Sequence, residues 1–113
     1  MKAFEANELG WAIDDLARDQ SQWSQATFGT DAERGPVGAL KRLEKEAREA
    51  QAAPADREEY ADCLPLILDA SRRAGMTPME LIRAAQAKMV KNKARQWPKT
   101  TGDVRTEHIK EAA

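Results

Sequence analysis

The chain has 113 residues, 42% of them hydrophobic and 33% charged, and its 18 Lys and Arg against 19 Asp and Glu leave a formal net charge of −1. That length implies one domain with a modest core, and the even balance argues against a general nucleic-acid binder, which normally carries a basic excess. Cys63 is the single cysteine, which excludes an intrachain disulfide and the metal motifs that need several thiols. No apolar run approaches the roughly 20 residues of a membrane span. The N-terminus, with Glu5, Glu8, Asp14 and Asp15, does not read as a secretory leader, so the expectation is a soluble, cytoplasmic protein.

Leu9, Ala12, Ile13, Leu16 and Ala17 recur at helical spacing and predict a first helix over about residues 7–25, with Trp11 assigned to its packing. The turn-forming stretch from Thr27 to Gly38 reads as a loop whose Pro36 enters the first turn of helix two. In that helix Val37, Leu40, Leu43, Ala47 and Ala50 form the apolar stripe, and Glu46 and Glu49 lie along its edge. Pro54 biases Ala53 away from helical geometry, and so short a connection favours an antiparallel neighbour. Helix three, from about Asp56 to Ala74, carries a packing stripe of Tyr60, Ala61, Leu64, Ile67, Leu68 and Ser71, with Asp69 expected at the surface. Its interior Pro65 costs on the order of 3 kcal/mol unless packing compensates, and predicts a kink rather than a break.

Gly75 is placed to end helix three. Thr77, Pro78 and Glu80 supply the cap, the first-turn proline and the capping-box acid of helix four, which reaches about Gln96 before Pro98 stops it. These elements give an all-α, four-helix, bundle-like domain over residues 1–99 and a polar, aperiodic tail over 100–113. His108 is expected to be solvated in that tail.

Two acidic words fall on consecutive helices: Glu46-x-x-Glu49 and Glu59-x-x-Asp62. Residues three apart occupy neighbouring turns of one helix face, so each word presents a carboxylate pair, and a helical hairpin can make all four converge. Two like charges about 5 Å apart repel by roughly 3 kcal/mol at an effective dielectric near 20. Such a group therefore requires cations, protons or basic neighbours, and hard carboxylate oxygens suit Mg²⁺ or Mn²⁺. On helix four Lys88, Lys91, Asn92 and Arg95 share a face within the acid-free run from Arg83 to Lys99, and Arg suits bidentate phosphate contact. Trp23 and Phe28 offer faces on which a base can stack. The competing readings are solvated charges, a basic helix end favoured by the macrodipole, and aromatics that anchor a core or loop.

The ordered set of Glu46, Glu49, Glu59 and Asp62, then Lys88, Lys91, Asn92, Arg95, Trp97 and Pro98, resembles the MazG-like all-α nucleoside triphosphate pyrophosphohydrolases. Trp23, Thr27-Phe28-Gly29 and Gly35-Pro36-Val37-Gly38 make the resemblance nearest to the phage-type dATP/dGTP diphosphohydrolases of the MazZ-like group. The resemblance implies Mg²⁺, with Mn²⁺ as a substitute, on the four carboxylates and hydrolysis of a purine (deoxy)nucleoside triphosphate to its monophosphate and pyrophosphate. It also implies a homo-oligomer, dimer or tetramer, working in the host cytoplasm if the gene is phage-borne. A non-catalytic helical scaffold or regulatory protein is the alternative, and a nucleic-acid binder using Arg83 to Lys99 a more distant one.

Overall fold

The computed structural model describes the backbone of residues 6–110 and side chains from residue 12 onward, so the packing assignments of Leu9 and Trp11 lie outside the described residues. Its elements are α1 (Ala6–Phe28), α2 (Val37–Ala52), α3 (Arg57–Arg73) and α4 (Pro78–Ala94), with no strand among the described residues. The chain is all-α.

Helix α1 runs past the expected end at Gln25 to Phe28. Its stop is Gly29, whose φ of +112° supplies the left-handed residue that closes a helix. Thr27 and Phe28 therefore belong to the last helical turn, not to the loop. Pro36 leads into α2 without a side-chain cap. Asp56 caps α3 by accepting a hydrogen bond from the Glu58 N–H at 3.0 Å, and α3 continues through Pro65 unbroken. The turn between α2 and α3 is fastened by the Tyr60 hydroxyl donating to Pro54 O at 2.8 Å. Helix α4 begins with the capping box read from the sequence: Glu80 N–H donates to Thr77 Oγ1 at 3.2 Å, and that hydroxyl donates to Glu80 Oε1 at 3.1 Å.

The chain divides after Leu81 into two compact units. In the first, α3 packs against both α2 and α1. Its interior is polar as much as apolar: Leu68 and Ala70 are buried together with Gln20, Ser24, Glu46 and Asp69. Asp69 thus corrects the surface expectation. Arg72 and Arg73 follow it at i+3 and i+4 and form ion pairs with it, while α1 brings Gln20 and Ser24 to the same place. Arg72 donates to Gln20 Oε1 at 2.7 Å and to Asp31 Oδ2 at 3.0 Å. Arg73, with only 3% of its side chain exposed, donates to Ser24 Oγ at 3.0 Å and to the carbonyls of Gly29, Thr30 and Arg34. These two arginines bind the α1–α2 loop to the end of α3.

Several stripe residues assigned to packing stay exposed: Leu40, Tyr60 and Leu64, together with Val37. Helical periodicity marks an amphipathic face without saying whether its partner lies in the same chain.

The second unit contains most of α4 and the segment beyond it. Trp97 Nε1 donates to Asn92 O at 2.7 Å, and Ile109 N–H donates to Gln96 O at 2.7 Å. The aperiodic stretch is thereby returned toward the end of α4, where the His108 ring meets Trp97 edge-on at 5.6 Å between centroids. His108 is half-buried rather than solvated, because a polar sequence without periodicity can still dock through single backbone bonds and one aromatic pair.

Candidate metal and nucleotide site

The α2–α3 hairpin brings Glu46, Glu49 and Glu59 together, with one carboxylate oxygen of each within 4.8 Å of the others. Asp62 stands outside that group but lines the same cleft as Glu46. The site is built by register: Glu46 and Glu49 project from neighbouring turns of α2, and the short connection delivers Glu59 opposite them within the first turn of α3. Glu46 is buried, 6% exposed, and Arg42 approaches its Oε1 at 3.8 Å. Lys45 stands at the same 3.8 Å from Glu49 Oε1. The second oxygens of Glu46 and Glu59 are inaccessible and have no hydrogen-bond partner among the described residues. Burial, and then the charges of Asp56, Asp62, Glu46 and Glu58, push the Glu59 carboxyl above the usual carboxylate range.

Orphaned buried acceptors are rare in folded proteins because each forfeits its hydration. Here two of them belong to carboxylates that converge with a third, and hard oxygens gathered within 4.8 Å fit a divalent cation. A divalent metal of the Mg²⁺ or Mn²⁺ kind would offset the charge these acids gather. Zinc is a poorer match, since no His or thiol joins the group.

Beside the acids lies a cleft of about 300 Å³, bordered by Trp23 and Phe28 from α1, Arg42 and Glu46 from α2, and Asp62 and Pro65 from α3. Trp23 and Phe28 meet edge to face at 5.2 Å between centroids, an arrangement favoured by the ring quadrupoles. Trp23 remains 56% exposed, so an aromatic surface faces solvent at the cleft. Ser24 and Gln20 lie at its back, both committed to the arginine network. Sequence reading missed Arg42, the cation beside the buried Glu46 in the cleft wall. Its signal was the i,i+4 spacing to Glu46, which looked like an ordinary surface helix pair.

Lys88, Lys91, Asn92 and Arg95 fall in the second unit. The two lysines are exposed and the other two half-buried. Arg95, just beyond α4, donates from Nη1 to Asn92 Oδ1 at 3.2 Å, so amide and guanidinium meet at the helix end and leave further Arg95 donors unpaired among the described residues.

The chain matches a pyrophosphohydrolase family in sequence and a MazG-like pyrophosphohydrolase in fold. The chain is a member of the dATP/dGTP pyrophosphohydrolase family, whose sequence model matches residues 16–113. It is similar to a MazG-like pyrophosphohydrolase of cyanophage S-2L, solved with dGDP and three catalytic Mn²⁺ ions per active site. That structure aligns with a TM-score of 0.67 at 26% identity, covering 88% of this chain and 95% of the cyanophage one. It is also 45% identical over 96 residues to the Eaa protein of Salmonella phage P22, a match covering 85% of this chain and 29% of that protein. The chain therefore spans under a third of the length of that curated relative. No helix among the described residues is long and apolar enough to cross a membrane.

Proposed function

We propose that Glu46, Glu49, Glu59 and Asp62 hold Mg²⁺ or Mn²⁺, and that the chain hydrolyses purine deoxynucleoside triphosphates between the α and β phosphates, releasing the monophosphate and pyrophosphate. The observation that carries this is the pair of partnerless buried oxygens on Glu46 and Glu59, set beside a cleft with an exposed aromatic face. Divalent metal bound there supplies Lewis-acid polarisation of the phosphate and a bound water of lowered pKa. Trp23 and Phe28 offer the base its stacking surface, and larger purine faces gain more from stacking than pyrimidines. Arg42 is placed to meet phosphate charge next to the acids. In the second unit, the amide of Asn92, the donor fork of Arg95 and the charges of Lys88 and Lys91 are of the chemistry that binds phosphate, the role the family resemblance gives them.

Exposed Val37, Leu40, Tyr60 and Leu64 on the metal-bearing helices fit burial against a second copy of the chain, in keeping with a homo-oligomer. The host cytoplasm, where nucleotide triphosphates are abundant and thiols stay reduced, is the natural setting.

The test is product identification from a panel of deoxynucleoside triphosphates with Mg²⁺ or Mn²⁺, in the wild type and in Glu49→Gln. Loss of one ligand charge should lower turnover by at least about a hundredfold, since even outer-shell changes at metal sites cost roughly 10- to 100-fold. Near-normal activity of Glu49→Gln at limiting metal, or orthophosphate as the product, refutes the assignment.

A further inference from the structure

We infer that Asp19 is the residue that distinguishes guanine from adenine, an inference that rests on the pyrophosphohydrolase reading and adds a base-selecting group to it. Asp19 borders the same cleft as Trp23, Phe28, Glu46 and Asp62. It precedes Trp23 by four residues on α1, so the two side chains rise from adjacent turns of one face. A base stacked on that aromatic surface would have its edge beside the Asp19 carboxylate.

The remaining polar groups at the aromatic end of the cleft are already committed. Gln20 accepts from Arg72, and Ser24 accepts from Arg73. Asp69 is paired with both arginines. Asp19, by contrast, is exposed and makes no hydrogen bond or ion pair among the described residues. Nor does it belong to the group of carboxylate oxygens that converge on the metal position, which Glu46, Glu49 and Glu59 form from the other two helices.

The chemistry of an ionised carboxylate decides which base suits it. It is an acceptor only, with two oxygens in one plane. Guanine presents two donors side by side on its Watson–Crick edge, N1–H and the 2-amino group, and can satisfy both oxygens at once. Adenine presents a bare N1 lone pair at the corresponding position, so the carboxylate meets an acceptor instead of a donor. Hypoxanthine keeps N1–H and lacks the 2-amino group, which places it between the two. Adenine is tolerated through stacking but gains nothing from Asp19.

The experiment measures kcat/KM for dGTP, dITP and dATP by pyrophosphate release at saturating Mg²⁺, in the wild type, Asp19→Asn and Asp19→Ala. The wild type should rank dGTP above dITP above dATP, with dGTP ahead of dATP by about 10- to 100-fold, the discrimination of one good bidentate base contact. Both variants should lose that ratio through a fall on dGTP, with dATP little changed and the Mg²⁺ concentration for half-maximal activity unmoved. A dGTP to dATP ratio unaltered by either substitution overturns the inference. So does an equal loss on all three substrates with a raised Mg²⁺ requirement, which would make Asp19 part of the metal site. If the wild type cleaves none of the three, the hydrolase reading falls by itself, and Asp19 is then judged by calorimetry. In that case wild-type binding of dGDP over dADP that disappears in Asp19→Asn sustains it, and equal affinities sink it.

Discussion

Replacing Arg73 by Met should destabilise the first unit more than any exposed charge deletion, because the guanidinium is buried at the junction of two helices and a loop. It pairs with Asp69 at 3.3 Å and with Asp31 at 3.6 Å, and donates to Ser24 and to three loop carbonyls. Methionine preserves much of the aliphatic volume but leaves the Asp69 carboxylate, 9% exposed as a side chain, with one cation instead of two. Breaking a buried ion pair from one side costs about 3–5 kcal/mol, whereas an exposed pair such as Lys45 with Glu49 contributes about 0–1 kcal/mol. The larger figure is a substantial share of the roughly 5–15 kcal/mol that holds an ordinary domain. With a urea m-value near 2 kcal/mol/M, the midpoint should fall by about 1.5–2.5 M. Far-UV circular dichroism at one fixed protein concentration reads this directly. Arg73→Lys, which keeps the charge but not the planar fork, should lose about half as much. A loss below about 1 kcal/mol in Arg73→Met, the scale of a surface pair, would refute the claim that this arginine fastens loop to helix.

Three further outcomes follow from the geometry. Burial alone would raise the Asp69 carboxyl, but hydrogen bonds from Ser24, Arg72 and Gln20, with the charge of Arg73, outweigh it and hold the group below its ordinary value. Its stabilisation is therefore complete above the unfolded pKa of about 3.9 and is lost as pH falls from there through the lower folded value; Asp69→Asn should be less stable at neutral pH and should flatten the urea midpoint's decline below about pH 4, and an unchanged acid slope would count against the network. Glu59→Gln removes one of the repelling carboxylates, so the metal-free protein should melt higher than wild type while losing most of the melting shift produced by Mn²⁺; an undiminished Mn²⁺ shift would exclude Glu59 as a ligand. Arg95→Ala should weaken triphosphate binding by about 1.5–3 kcal/mol, the scale of one charge-assisted hydrogen bond, with helical content unchanged; equal affinity in calorimetry would return Arg95 to a structural role at the end of α4.

Helix existence was legible because each helix announces itself through apolar spacing and punctuation. Thr77 and Glu80 specify a start, Pro54 specifies a break, and Gly75 specifies a stop. The end of α1 was misplaced because turn-forming residues begin only at Gly29, and Thr27 and Phe28 have no strong preference of their own. The acidic words were legible for a different reason: carboxylate pairs at i,i+3 on successive helices have few uses other than solvation or metal. Asp69, Arg72 and Arg73 were opaque, since nothing local separates a buried i,i+3 and i,i+4 ion network from the same spacing in water. The burial is decided by Gln20, Ser24 and Asp31, about 40 to 50 residues away along the chain. Arg42 and Asp19 escaped notice likewise, because a cleft wall assembled from three helices has no one-dimensional signature.

The division of labour between the hairpin and α1 bears on the order in which the molecule forms. Every carboxylate proposed for the metal site lies between Glu46 and Asp62, on two helices joined by a turn of a few residues, so its assembly closes only a small loop. The cleft instead needs α1, whose bonds to Arg72 and Arg73 span 49 to 52 residues. Contacts of long sequence separation are formed late in folding. The hairpin can accordingly gather its acids, and a cation with them, before the nucleotide has anywhere to bind. Weakening Arg73 should then act chiefly on the unfolding rate and hardly on the folding rate, the mark of an interaction absent from the transition state.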